Sequence, residues 1–181
     1  MDKSPITSPE VRVADLGPGS QHAVDIVLDN DRLAAGKDQL GILDLAKVRL
    51  IGKLIPERKT DWRLDAELGA TVTQACVVTL DPVRTRIDTR ISRLFTTHWS
   101  EPDPETETEI PEDVNVDPLP PVIDLAQVAL EEISLAMPDF PRSKDAALAD
   151  SSAAPEGVTP LTDEDLKPFA ALKALKEKME K

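Results

Sequence analysis

The residues able to do chemistry are few. Cys76 is the sole cysteine, so neither an internal disulfide nor a Cys-rich zinc site can form. His22 and His98 lie far apart in the chain. Either could approach Cys76, but a lone histidine beside a sheet is far more commonly an ordinary surface or core residue. Glu131 and Glu132 are adjacent within a helical pattern, where neighbours point to different sides, so the two are not expected to converge. Gly17-Pro18-Gly19-Ser20 lacks the lysine and the strand-to-helix spacing of a phosphate loop. No Gly-x-Ser-x-Gly elbow occurs. These readings predict a protein that is not an enzyme, with no cofactor and no metal site.

Three features rise above this background. Arg49, Lys53, Arg63, Arg84, Arg86 and Arg90 share the polar side of predicted strands and form a basic outer face. Asp61, Asp65, Glu67 and Asp88 lie among them and could pair with them. The segment 101–117 carries Glu101, Asp103, Glu105, Glu107, Glu109, Glu112, Asp113 and Asp117 with no base. Such a run repels itself and reads as a solvated loop. Phe169, Leu172, Leu175 and Met179 form an apolar stripe near the C-terminus and are candidate partner-docking residues.

The elements that must position these side chains are legible as periodicities. Trp62, Leu64, Ala66 and Leu68 alternate with Asp61, Arg63, Asp65 and Glu67, the period of a half-buried strand. The same parity continues through Ala70, Val72, Cys76, Val78 and Leu80, which predicts one long strand bent or bulged at Gly69. Val48, Leu50 and Leu54 precede it as another strand, with 56–60 as the loop between. Leu80-Asp81-Pro82 is a turn, and Val83, Ile87 and Ile91 follow as a third strand. Short connections favour an antiparallel meander. Val24, Ile26 and Leu28 form a further strand and Val11-Arg12-Val13 a short one. Residues 30–40 read as a helix closed by Gly41. Asp124 stands at an N-cap, followed by Leu125, Val128, Ala129, Glu132, Leu135 and Ala136 at helical spacing until Pro138. The expectation is an α+β domain over 1–141. Its sheet of four to six strands is covered by the 124–137 helix, a linker follows at 142–160, and a C-terminal amphipathic helix occupies 161–181.

Composition narrows the partners. The chain has 181 residues, 21 Lys and Arg against 34 Asp and Glu, and a net charge of −13. A surface so negative is unsuited to coating DNA, bulk RNA or an anionic membrane. Aromatic residues are 3% with no tyrosine, so stacking platforms for single strands are scarce. No apolar window approaches a membrane span and the N-terminus has no apolar signal region, so a cytoplasmic protein is expected.

Three blocks in order carry a family resemblance. They are Gln74-Ala75-Cys76-Val77-Val78-Thr79-Leu80-Asp81-Pro82, then Ile123-Asp124-Leu125 with Glu131-Glu132-Ile133-Ser134-Leu135-Ala136-Met137-Pro138, then Lys167-Pro168-Phe169-Ala170-Ala171-Leu172-Lys173-Ala174-Leu175-Lys176. From about residue 20 onward the chain resembles the YceD family of bacterial large ribosomal RNA subunit accumulation proteins. Many relatives carry Cys-x-x-Cys at the first block; here Thr79 holds the second position, so a metal or redox role does not transfer. The resemblance implies a non-enzymatic part in synthesis, processing or stability of 23S ribosomal RNA. Its partner would be the large-subunit precursor, through the RNA, a basic ribosomal protein, or both, and the basic outer face of Arg49, Lys53, Arg63, Arg84, Arg86 and Arg90 then supplies the candidate RNA contacts. The competing readings are an acidic protein-interaction module unrelated to ribosomes, and a small-ligand carrier or enzyme, which would need a closed pocket.

Overall fold

Strand β1 (Glu10–Arg12) opens the chain, and β2 (His22–Val27) follows after a short 3-10 turn. Helix α1 (Asn30–Leu40) comes next, then three long strands, β3 (Asp44–Glu57), β4 (Asp61–Ala75) and β5 (Pro82–Thr96). Two short strands, β6 (Val116–Pro118) and β7 (Val122–Asp124), lead into helix α2 (Leu125–Ala136). This architecture comes from a computed structural model, which describes residues 4–17, 19–58, 60–98 and 115–146. The acidic segment up to Val114, and everything beyond Ala146 including the predicted C-terminal helix, lie outside the described residues.

The fold is α+β. One sheet has the order β2-β3-β4-β5-β6, and β1 pairs β7 in a separate ribbon. From β2 to β5 every neighbour is antiparallel and consecutive, the predicted meander. The alternation in the sequence predicts no strand at β6. It lies parallel to β5 over Leu94–Thr96, a return that only a long connection permits.

The long strands follow their apolar parity. Trp62, Leu64, Ala66, Leu68, Ala70 and Val72 are all buried, and Gly69 does not break the β4–β5 register. The irregularity expected at Gly69 sits on the neighbouring strand instead. Ala46 pairs Thr71 and Arg49 pairs Gly69, so Lys47 and Val48 together oppose Ala70. Lys47 takes up the extra residue at φ 54°. The bulge also resets parity, because buried Leu45 is odd while buried Val48, Leu50 and Leu54 are even. The loop read at 56–60 is shorter than expected, since β3 runs to Glu57.

Helix α2 covers the apolar face with Leu125, Ala126, Val128, Ala129, Leu130 and Ile133. Asp124 caps it as expected, its carboxylate accepting from the N–H groups of Ala126 (2.9 Å) and Gln127 (3.0 Å). Helix α1 ends on Gly41 in the left-handed region at φ 63°. The two helices approach closely at Gly36, where an added Cβ would stand 2.7 Å from the Leu130 side chain.

Candidate functional site

The polar face of the sheet gathers most of the predicted RNA contacts, but with carboxylates among them. Arg49 on β3 donates through Nε and Nη2 to both oxygens of Asp25 on β2, each at 2.9 Å. That hydrogen bonding holds the Asp25 carboxyl below its usual range and raises Arg49. Arg86 reaches along β5 to Asp88, with Nε 3.0 Å and Nη2 2.6 Å from Oδ1. The pairing lowers Asp88. Arg90 stands 3.6 Å from Glu67 across the β4–β5 register, and Arg63 pairs with Glu57. Lys53 faces Asp65 in the β3–β4 register.

The geometry joins some of these cations and separates others. Arg49, Arg86 and Arg90 border one open groove of about 510 Å³ with Glu67, Gly69 and Asp88. The guanidinium of Arg86 lies over Gly69, where a Cβ would come within 2.2 Å of Nη2. Arg63 lines a different depression beside Asn115 and Val116. Arg84 sits near the start of β5 opposite Thr73 and makes no ion pair among the described residues. Asp61, read as a member of this face, is instead buried at the start of β4. It accepts from the Thr97 N–H at 3.1 Å. Burial raises its carboxyl, but hydrogen bonds from Thr97, Thr96 and Thr60 outweigh this and lower it.

A second charged assembly lies on the covered face. Arg93 donates to Glu131 (2.5 Å) and Glu132 (3.1 Å) and stands 3.3 Å from Asp117. The expectation that Glu131 and Glu132 diverge is therefore overturned. Their side chains are long enough to bend round one helix flank toward a shared guanidinium. Arg93 escaped the sequence reading, yet a signal was present. It shares odd parity with buried Ile87, Ile91 and Phe95, and a charge on the apolar face of a strand requires partners.

Cys76 closes the opposite end of β4. The predicted strand continuation through Val78 and Leu80 does not form. β4 ends at Ala75, and the chain turns so that Cys76 N donates to Asp81 O and Leu80 N to Cys76 O. Leu80 is 76% exposed. The buried Sγ accepts from the N–H groups of Val78 (3.4 Å), Thr79 (3.5 Å) and Ser143 (3.4 Å). The Thr79 hydroxyl, then the Ser143 and Thr79 N–H groups, lower the thiol to about 6.

Neither histidine approaches Cys76. His22 packs against Trp62 with ring centroids 5.7 Å apart and the rings tilted by 55°, and the His98 N–H donates to the Thr96 hydroxyl at 3.1 Å, beside Phe95, which pairs Trp62. Trp62 and Cys76 stand at opposite ends of a strand that spans roughly 45 Å at its usual rise. Among the described residues no three His, Cys, Asp or Glu side chains could hold a metal. The docking candidates Phe169, Leu172, Leu175 and Met179 lie outside the described residues.

A family model described as "Large ribosomal RNA subunit accumulation protein YceD" matches residues 64–176. The match takes in most of β4, all of β5, β6, β7 and α2, and hence both the Cys76 turn and the Arg93 assembly. No curated protein and no solved structure matches the chain.

Proposed function

We propose that this chain, which belongs to the YceD family of large ribosomal RNA subunit accumulation proteins, is a non-enzymatic factor that sustains 23S ribosomal RNA by attending a basic large-subunit ribosomal protein before assembly. The observation that carries the ribosomal role is the family match over well more than half of the 181 residues. Two further observations favour a protein as the direct contact. The net charge of −13 attracts a basic polypeptide and repels bulk RNA. The outer-face arginines Arg49, Arg63, Arg86 and Arg90 already face carboxylates, which a phosphate would have to displace. A non-enzymatic role is supported by Cys76, whose sulfur is buried and engaged by backbone N–H groups.

A second reading keeps a local RNA contact. Arg84, Arg86 and Arg90 stand in one row along β5 on one face of the sheet. No helix of the described residues is long and apolar enough to cross a membrane, and the proposed site of action is the cytoplasm.

Deletion of the gene followed by measurement of 23S against 16S RNA tests the role. A fall in the ratio is expected, and an unchanged ratio defeats it. Complementation with an Arg84→Ala, Arg86→Ala, Arg90→Ala variant separates the two contacts. Full rescue supports the protein partner. Loss of rescue, with pre-ribosome association that is weaker and less dependent on salt, supports RNA.

A further inference from the structure

Strand β5 carries a long open edge. It pairs β4 from Pro82 to Phe95 without a break, but on its other side β6 meets only Leu94 to Thr96. Among the described residues no strand pairs that side from Pro82 to Arg93. Leu94 sends its N–H outward to Asn115 O at 2.9 Å. Alternation along the unbroken strand therefore directs the N–H and C=O groups of Arg84, Arg86, Asp88, Arg90 and Ser92 to the same side. Free edges are commonly blunted by brevity, bulges, proline or charged side chains, and the outward-directed charges here, Arg84, Arg86, Asp88 and Arg90, are of both signs, so they exclude most edges but admit one of matching charge. This one is long and regular, with its only proline at the first position. The residues of opposite parity, Val83, Thr85, Ile87, Thr89 and Ile91, are all β-branched, which favours an extended strand.

We infer that this edge pairs with the same edge of a second copy of the chain, antiparallel about a two-fold axis at Thr89. Symmetry allows few registers, because outward-directed residues must oppose one another. With Thr89 on the axis, Asp88 of each copy faces Arg90 of the other and Arg86 faces Ser92. On the covered side Ile87 faces Ile91. Every polar pair is then opposite in charge, or charged against neutral. An axis at Asp88 sets that aspartate against itself and Arg86 against Arg90. An axis at Ile87 sets Arg84 against Arg90, and an axis at Arg90 sets that arginine against itself. The Thr89 register also stops at Arg93, one residue before β6 takes the edge. Arg90 can turn to a new carboxylate, since it is 88% exposed and its distance to Glu67 is 3.6 Å. The inference is independent of the ribosomal reading, and the pairing joins the two polar faces into one surface.

The test is the mass of the full chain by sedimentation, with cross-linking to fix the register. A species of twice 19.7 kDa is expected. Thr89 opposes its counterpart at a position without hydrogen bonds, where Cα atoms stand about 4.5 Å apart and a disulfide fits. A Thr89→Cys variant should therefore form a covalent dimer under mild oxidation. A Thr85→Cys variant, whose position faces Arg93, should not. Asp88→Arg should weaken the dimer about tenfold, and Asp88→Arg with Arg90→Asp should restore it. Far-UV circular dichroism checks that each variant folds. A monomer at every accessible concentration overturns the inference, and so does a dimer that Thr85→Cys links as readily as Thr89→Cys.

Discussion

Arg93 and Glu132 meet at 3.1 Å with their side chains only 13% and 18% exposed, and this contact ties β5 to α2. Glu131 completes the clasp from the next position along the helix at 2.5 Å. A guanidinium keeps its charge even when withdrawn this far from water, so its burial requires partners; burial lowers its pKa, but the hydrogen bonds and charge of the carboxylates around it outweigh that cost and raise it.

Breaking this clasp should be costly. Arg93→Met leaves the largely buried Glu132 without its donor and should lower stability by roughly 2–3 kcal/mol. Adding Glu132→Leu should recover part of the loss, because the orphaned carboxylate is gone. Urea denaturation of the two variants against the parent decides this. A double variant less stable than Arg93→Met would count against the clasp.

The Cys76 thiol, lowered to about 6 from an ordinary 9.0, links stability to pH with a definite sign. A depressed folded value favours the native state fully above the ordinary value and loses that benefit as pH falls toward the folded one. The parent should therefore gain stability relative to Cys76→Ala between about pH 6 and pH 9. Melting curves across that window test it, and parallel curves would refute it. Although the thiolate is present at neutral pH, the buried sulfur should react with iodoacetamide only after unfolding.

Asp61 provides the acid-side counterpart. Its folded carboxyl is held below 3.8 by hydrogen bonds from Thr97, Thr96 and Thr60 that overcome burial. Its contribution is therefore complete above that value and lost as pH falls through the folded one. Asp61→Ala leaves the Thr97 N–H without its acceptor and should cost roughly 1–3 kcal/mol at neutral pH. The variant and the parent should converge in urea midpoint as the solution is acidified. A gap that stays constant into strong acid would contradict this.

Two glycines on adjacent strands should respond very differently to alanine. A Cβ on Gly52 would stand 2.2 Å from Asp65 O and 2.4 Å from Ala66 Cα, both backbone atoms of β4. Gly52→Ala should cost roughly 1–3 kcal/mol or more through overpacking. At Gly69 the 2.2 Å neighbour is the far end of Arg86, which can swing away. Gly69→Ala should leave stability nearly unchanged while opening the Arg86–Asp88 pair, seen as a rise in the Asp88 pKa by NMR. Equal destabilisation by both substitutions would be inconsistent with this packing.

Local chemistry made much of the fold readable from the chain alone. Alternation in β3, β4 and β5, the closure of α1 by Gly41 and the capping of α2 by Asp124 each depend on residues a few positions apart. So does the family resemblance carried by the blocks around Cys76, Asp124 and Pro168. Tertiary structure decided what depends on residues far apart in sequence. The bulge at Lys47 and Val48 exists because β3 must match the parity of β4, and no window of β3 alone shows its partner. β6 is held by Leu94 and Asn115, and β7 by β1, through pairings that short-range patterns do not encode. Cys76 belongs to a turn because Asp81 and Ser143 reach it from either side. Arg93, Glu131 and Glu132 converge because α2 packs against β5, while Arg49, Arg63 and Arg90 on the outer face meet carboxylates from neighbouring strands. A periodic pattern tells a side chain which face it occupies; only packing determines which charge it meets there.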